Sequence, residues 1–389
     1  MDNPMDANGI EEKLKTISGL CDDRWRVLIS KQKVAALIRA GVSTTLTGRI
    51  TEAEKHIVVS GSSVHSVGSF VNEPQPALDA AGIRMSLFLD KGLELRATFD
   101  GVPCLVQQYD EDDFNSRNSG LLSAEKCSGK KLAVVGAGSV GSRIVTYLAP
   151  LPLRMSIWDY DELAIENFVR WGLPVEYSRY IGRKKVLVLR ELLTRAFPNT
   201  DITTHPLDIV RNHRVFGDHI GREKLDLVVC TTDTEESRRM VNAMSWAYRV
   251  PSIYVGLSDE AASGQLIVVD PKRNTPCYQC FSDLVEFDNI ILDHSRQYGT
   301  PAGVPALALD IAIFSSIAAK VALAILTEGS EQGFKYLGTS EDNTRQATVM
   351  WFSQRPETWL MCQAFQKVGA SITKNPNCAV CTRNESRIE

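Results

Sequence analysis

The sequence predicts an α/β protein: a doubly wound, mostly parallel sheet preceded by an N-terminal α+β accessory domain. Three observations carry this expectation. LAVVGAG (132–138) is an apolar run ending in glycines, as a buried parallel strand does. From there to residue 258, apolar runs alternate with helical stretches, the pattern of successive βαβ units. Of the 389 residues, 44% are apolar and 23% charged, which supplies a sizeable core and excludes wholesale disorder.

Taken in order, residues 1–110 read as the accessory or recognition domain. A helical start over 10–37 leads into the strand-like runs HIVVSG (56–61), RMSLFL (84–89) and LELRATF (93–99), each bounded by turn residues. Residues 111–389 form the second domain, opening on a polar, turn-rich connector at 111–130. After the strand at 132–138, SVGSRIVTYLA is a short helix and MSIWDYD a strand ending in acids. SRYIGRKKVLVLRELLTRAF (178–197) reads as one helix, with Val186, Leu189, Leu192, Leu193 and Phe197 at helical spacing. DITTHPLDI, LDLVVCTTD and PSIYVGLS read as further strands, with ESRRMVNAMSWAYR as the intervening helix. Residues 306–326 form a long helix, apolar on most of its circumference, that must be buried in the sheet's flank or a subunit interface.

Charge narrows the function classes. Forty-three Lys and Arg against 47 Asp and Glu leave a net charge of −4, so no nucleic-acid partner is expected. The first residues show no basic stretch followed by an apolar one, and the apolar stretch 304–326 is interrupted by Asp310 and Lys320. Neither an export signal nor a membrane span is expected, and the reading is a cytoplasmic protein.

Nine cysteines, an odd number, argue against a disulfide framework in such a chain. Four form two CxxC pairs, Cys277–Cys280 and Cys378–Cys381, each beside Pro or Asn turn residues. Two such knuckles aim four thiolates at one tetrahedral zinc (Zn2+) and would tether the C-terminal tail to the body. Neither pair opens an evident helix after a strand, which weighs against a redox motif.

Gly136, Gly138 and Gly141 make a full GxGxxG between strand and helix, a loop whose backbone approaches phosphate at a helix N-terminus. Asp159 ends the next strand, where a carboxylate holds ribose hydroxyls; to this point an NAD(P)-dependent oxidoreductase also fits. Asp161, Asn167, Arg170, Lys185 and Asp233 follow in order. Cations and amides beside a glycine loop suit a triphosphate, whose leaving pyrophosphate needs neutralising. An acid at a strand's carboxyl end is a natural Mg2+ ligand.

The ordered set GxGxxG, D-x-D, N-x-x-R, G-x-x-K, T-D and paired CxxC resembles the ubiquitin-activating-enzyme-like adenylyltransferases of the ThiF, MoeB and HesA groups, over residues 111–325 and the cysteine tail. The resemblance implies a Rossmann-like domain that binds Mg-ATP and adenylates the C-terminal carboxylate of a ubiquitin-like or sulfur-carrier protein, or a peptide, for passage to sulfur transfer or a conjugating enzyme. Gly136, Gly138 and Gly141 would line the nucleotide loop and Asp159 the ribose. Asn167, Arg170 and Lys185 would meet the phosphates and Asp233 the magnesium. Arg117 matches an arginine that reaches into the partner subunit's site, which implies a homodimer. The chain departs from many relatives in having no cysteine over 281–305, where a thioester or persulfide would form; His294 there reads as a surface residue, and Cys127 and Cys362 as structural thiols. The non-enzymatic alternative is a silent scaffold that binds a ubiquitin-like partner. Retention of Arg170, Lys185 and Asp233 together speaks against it.

Overall fold

A computed structural model describes residues 24–40, 44–51, 55–59, 66–71, 85–89, 94–110, 124–197, 200–258, 260–288, 306–327, 349–354 and 363–382. The chain divides into two compact units, Met1–Arg117 and Asn118–Glu389.

In the first unit, strands β1 (Arg26–Ser30), β2 (Thr44–Thr51), β3 (His56–Val59), β4 (Ser66–Val71), β5 (Met85–Leu89), β6 (Leu95–Phe99) and β7 (Val102–Tyr109) close into a barrel in the order β1-β3-β2-β4-β5-β6-β7. Closure comes from parallel pairing of β1 with β7. The buried residues follow the two-residue period of strands: Val27 and Ile29, Ile57 and Val59, Met85 and Leu87, Ala97 and Phe99 share one core. Closure removes the unpaired edges that open sheets expose. The helix expected over 10–37 is corrected in part: residues 26–30 are strand, and α1 spans only Lys31–Ala40. Alternation of Val27 and Ile29 decides for strand. Ser30 then accepts a hydrogen bond from the Lys33 amide at 3.1 Å and starts the helix. Residues 10–23 lie outside the described residues.

The second unit is built on an eight-stranded sheet in the order β10-β9-β8-β11-β12-β13-β14-β15. Its strands are β8 (Lys131–Val135), β9 (Arg154–Trp158), β10 (Asp201–His205), β11 (Leu227–Cys230), β12 (Ser252–Leu257), β13 (Ser263–Val269), β14 (Val349–Ser353) and β15 (Lys367–Ala370). β10 through β12 are parallel, and β13, β14 and β15 continue the sheet antiparallel. The doubly wound, mostly parallel sheet is thus as expected, with an antiparallel wing that the sequence reading did not contain. Strand order reverses between β8 and β11, and in open α/β sheets the crevice beyond the carboxyl ends at that point receives ligands.

The helices are α2 (Ala124–Cys127), α3 (Ser139–Leu148), α4 (Tyr177–Tyr180), α5 (Lys185–Ala196), α6 (His213–Glu223), α7 (Glu235–Ala247), α8 (Tyr278–Asp288) and α9 (Ala308–Leu326). The helix expected over 178–197 is interrupted after Tyr180. There the Gly182 amide donates to Leu163 O at 2.8 Å, the Leu163 amide to Arg183 O at 2.9 Å and the Lys185 amide to Asp161 O at 3.0 Å. These bonds to the segment after β9 replace the intrahelical ones, and α5 begins at Lys185. By length and composition α9 passes for a membrane span. Ala318, Ala319, Val321, Ala322 and Leu326 nevertheless share the core of Ile144, Val145 and Leu148 from α3. Cys127 is fully buried in that core, and burial pushes its thiol up to about 11.

On the other face, Trp158 stacks on His205 with ring centroids 3.8 Å apart, and His219 from α6 meets both rings edge-on. Burial, then the proximity of His219 and Arg222, pushes His205 down from 6.5 to about 4. Its folded value lies below its unfolded one, so the unfolded state binds the extra proton between those values. Stability is therefore complete above about pH 6.5 and is lost as pH falls towards 4. Discounted for partial screening by solvent, the loss is on the order of 1–2 kcal/mol. Denaturant midpoints across that range should fall more steeply for the wild type than for His205→Phe; parallel curves would refute the assignment.

Candidate active site

The site is built at the carboxyl end of β8. Gly136 lies at φ +97°, a left-handed value that favours glycine, and a Cβ there would approach Thr231 Oγ1 to 2.7 Å. A Cβ on Gly141 would collide with the Gly136 carbonyl oxygen, so the third glycine is required by close approach of α3 to the loop. The Thr231 hydroxyl donates across this junction to Gly136 O at 3.0 Å. The first helical bond of α3 runs from the Ser142 amide to Gly138 O at 3.0 Å, and no side chain caps the helix. The preceding amides have no intrahelical partner, the arrangement that suits a helix N-terminus to an anion.

Asp159, at the end of β9, receives the Ala137 amide on Oδ2 at 2.6 Å and the Asp161 amide on Oδ1 at 2.7 Å. Each oxygen keeps a further lone pair for a ligand hydroxyl. Burial pushes the Asp159 carboxyl up, against the attraction of Lys185 and these two amide bonds. Lys185, 8% exposed, places Nζ 2.9 Å from Asp161 Oδ2. An ammonium and the glycine loop are thereby joined through Asp159 and Asp161.

Asp233 is exposed just beyond β11, after Thr231 and Thr232. The intervening Tyr160 hydroxyl is pushed up by the Asp161 carboxylate, then by burial and by Asp208, Asp159 and Asp233. Acids that follow β9, β10 and β11 thus all act on one exposed phenol. Asn167 accepts the Ala164 amide on Oδ1 at 3.1 Å, and Arg170 is half-buried, its carbonyl receiving the Arg143 guanidinium at 3.2 Å. Arg117, His294 and Cys362 lie outside the described residues. Arg238, on α7, donates to Thr232 O at 2.9 Å and Val255 O at 3.3 Å, joining the segment after β11 to β12.

The four expected thiols converge. Cys277 and Cys378 Sγ are 3.5 Å apart, as are Cys280 and Cys381, and all four lie within 4.8 Å of one another and are buried. Tetrahedral zinc with Zn–S bonds of ~2.3 Å requires S···S edges of ~3.8 Å, so the donor set fits that ion. Hydrogen bonding from Cys277 and Cys381 holds the Cys280 thiol well below its ordinary value, and the Asn375 amide adds a bond at 3.4 Å. Contrary to the sequence reading, Cys277 does open a helix, α8; the convergence of all four thiols separates this arrangement from an isolated redox pair.

The model of the ThiF family matches residues 113–367, more than half of the chain. The chain belongs to the ThiF family. Similar curated proteins include ubiquitin-like modifier-activating enzyme 5 of Drosophila simulans, 29% identical over 175 residues, covering 43% of this chain and 42% of that protein. Adenylyltransferase and sulfurtransferase UBA4 of Vanderwaltozyma polyspora is 28% identical over 178 residues, covering 45% of this chain and 38% of that protein. The chain spans less than half the length of these relatives. Among solved structures, E. coli MccB superposes with a TM-score of 0.50 at 17% identity, covering 70% of this chain and 72% of that one, which shows a shared fold.

Within the ThiF-family domain, several site residues escaped the sequence reading. Thr231 was legible only as part of a strand end. Glu235, at the start of α7, was passed over, although it accepts hydrogen bonds from Tyr278 at 2.7 Å, Ser282 at 2.6 Å and Arg239 at 2.8 Å. Burial pushes Glu235 up, but these bonds outweigh it and hold the carboxyl below its ordinary value. They bind the helix after Asp233 to the helix that carries the first cysteine pair.

Proposed function

We propose that this ThiF-family protein binds Mg-ATP and adenylates the C-terminal carboxylate of a ubiquitin-like or sulfur-carrier protein, or of a peptide, releasing pyrophosphate. The observation that carries the reading is the buried Lys185 ammonium linked through Asp161 and Asp159 to an open, uncapped glycine loop. A buried cation at that place answers the charge of a triphosphate. The acceptor carboxylate attacks the α-phosphorus; Arg170, Lys185 and a Mg2+ held by Asp233 neutralise the leaving pyrophosphate, and Asp159 holds the ribose. No side-chain nucleophile is needed for this half-reaction, so its chemistry is positioning and charge. The four thiols hold zinc in a structural role, since four protein ligands leave no open position.

Pyrophosphate–ATP exchange tests the reading. The acceptors are a ubiquitin-like protein ending in Gly-Gly, a sulfur-carrier protein and a peptide with a free carboxylate. Exchange with one of them is expected; binding of NAD but not ATP would overturn the proposal in favour of an oxidoreductase.

The active unit is proposed to be a homodimer in which Arg117 completes the partner's site. The outer face of α9 leaves Leu309 and Ile313 exposed at 76% and 38%, which agrees with a further contact there. Mixing Arg117→Ala with Asp233→Ala chains, each inactive alone, should restore up to about a quarter of wild-type activity, because half of randomly exchanged dimers regain one intact site. No recovery despite demonstrated exchange would refute shared sites.

A further inference from the structure

The residue after Arg170 holds the glycine loop by a contact that the nucleotide-site residues above do not explain. Trp171 is 4% exposed and donates its indole Nε1–H to the carbonyl oxygen of Ala137 at 2.9 Å. The Ala137 amide is already given to Asp159 Oδ2, so both backbone polar groups of this loop residue are fixed. Cis peptide bonds are absent among the described residues. The Ala137 carbonyl and the Gly138 N–H, which share one trans peptide, therefore point in opposite directions. With the carbonyl turned to the indole, the Gly138 N–H faces away from Trp171, and a Cβ built on Gly138 would meet nothing within 4 Å.

Two more ties keep the segment in place. The Gly172 amide donates to Ser142 Oγ at 2.9 Å, and the Arg143 guanidinium donates to Arg170 O at 3.2 Å. A Cβ on Gly172 would lie 2.6 Å from the Arg143 nitrogen, so residues 170–172 lie directly on the first turn of α3.

We propose that Trp171 is a positioning residue for the phosphates of a nucleoside triphosphate: by holding the Ala137 carbonyl, its indole N–H aims the Gly138 amide at the open side of the loop. The inference rests on the nucleotide-binding reading above. Removing the indole donor leaves a carbonyl without its partner, and the peptide is then free to turn towards water and misdirect the Gly138 amide. An anchor that only supported the fold would weaken every ligand of the site alike. A phosphate-aiming residue weakens ATP and leaves adenosine unaffected.

The test uses the full chain, with ATP binding measured by calorimetry and adenosine binding by competition. Trp171→Phe removes the donor and keeps an aromatic ring. A second variant carrying β-(3-benzothienyl)alanine at 171 keeps the size and shape of the indole and replaces only the N–H. In both, the Kd for ATP should rise ~3- to 10-fold, the worth of one neutral hydrogen bond, while that for adenosine changes less than ~2-fold. Unchanged ATP affinity, or equal weakening of ATP and adenosine, would overturn the inference. If Trp171→Phe does not fold, the benzothienyl variant decides. A wild-type protein that binds neither ligand would overturn the nucleotide-binding reading itself, and the inference with it.

Discussion

Asp233→Ala is expected to abolish pyrophosphate–ATP exchange while leaving the fold intact. The side chain is exposed, so its truncation should change stability by no more than ~0.5 kcal/mol. Loss of a metal carboxylate or a phosphate cation in this kind of chemistry costs ~10²- to 10⁵-fold in rate. Lys185→Ala should fall in the same range for a different reason. Its ammonium is buried against Asp161, and truncation leaves the acids around the loop without their nearest cation. With the acceptor that supports exchange in the wild type, full activity in both variants would show that the site lies elsewhere. Loss of activity together with a collapsed thermal transition in Asp233→Ala would assign that residue to the fold instead.

Cys378→Ser is expected to lower the thermal midpoint of the second unit by roughly 5–10 °C and to release the metal, while weakening ATP affinity less than ~3-fold. A structural zinc site contributes its binding free energy to folding, and the four thiols lie at the start of α8 and in the tail rather than on the glycine loop. Elemental analysis should find about one zinc per wild-type chain. Protein purified without chelator that holds none would remove zinc from the account. A loss of ATP affinity as large as the loss of stability would show that the ties at Glu235 carry the metal's effect to the nucleotide site.

What the sequence made legible follows from how local each constraint is. Gly136 and Gly141 could be read because positive φ and close helix approach admit little else, and the two CxxC pairs because thiolate spacing is a short-range demand. The alternation of strand and helix exposed the parallel half of the sheet. Trp171 was opaque because its partner, the Ala137 carbonyl, is a backbone atom 34 residues away and leaves no trace in composition. The break at 181–184 was opaque for the same reason: its amides are taken by the segment after β9, which hydrophobic periodicity does not register. The wing of β13 to β15 was hidden because β14 and β15 are short and because β14 pairs with β13 across a long separation in sequence. Barrel closure was hidden as well, since it depends on β1 meeting β7 across most of the first unit.

The antiparallel wing and the thiol cluster together impose an order of events during synthesis. β13 waits for β14, whose first residue comes 80 positions after the last of β13, and Cys277 waits for Cys378, 101 positions later. From the emergence of Cys280 until β14 is made, the β13 edge lacks that mate and Cys277 and Cys280 lack their later thiol partners. The growing chain is then most exposed to strand-pairing with a neighbour and to thiol oxidation. Both risks end once residue 381 has emerged. A pause or cleavage upstream of that point would leave a species with an intact glycine loop that is prone to aggregate.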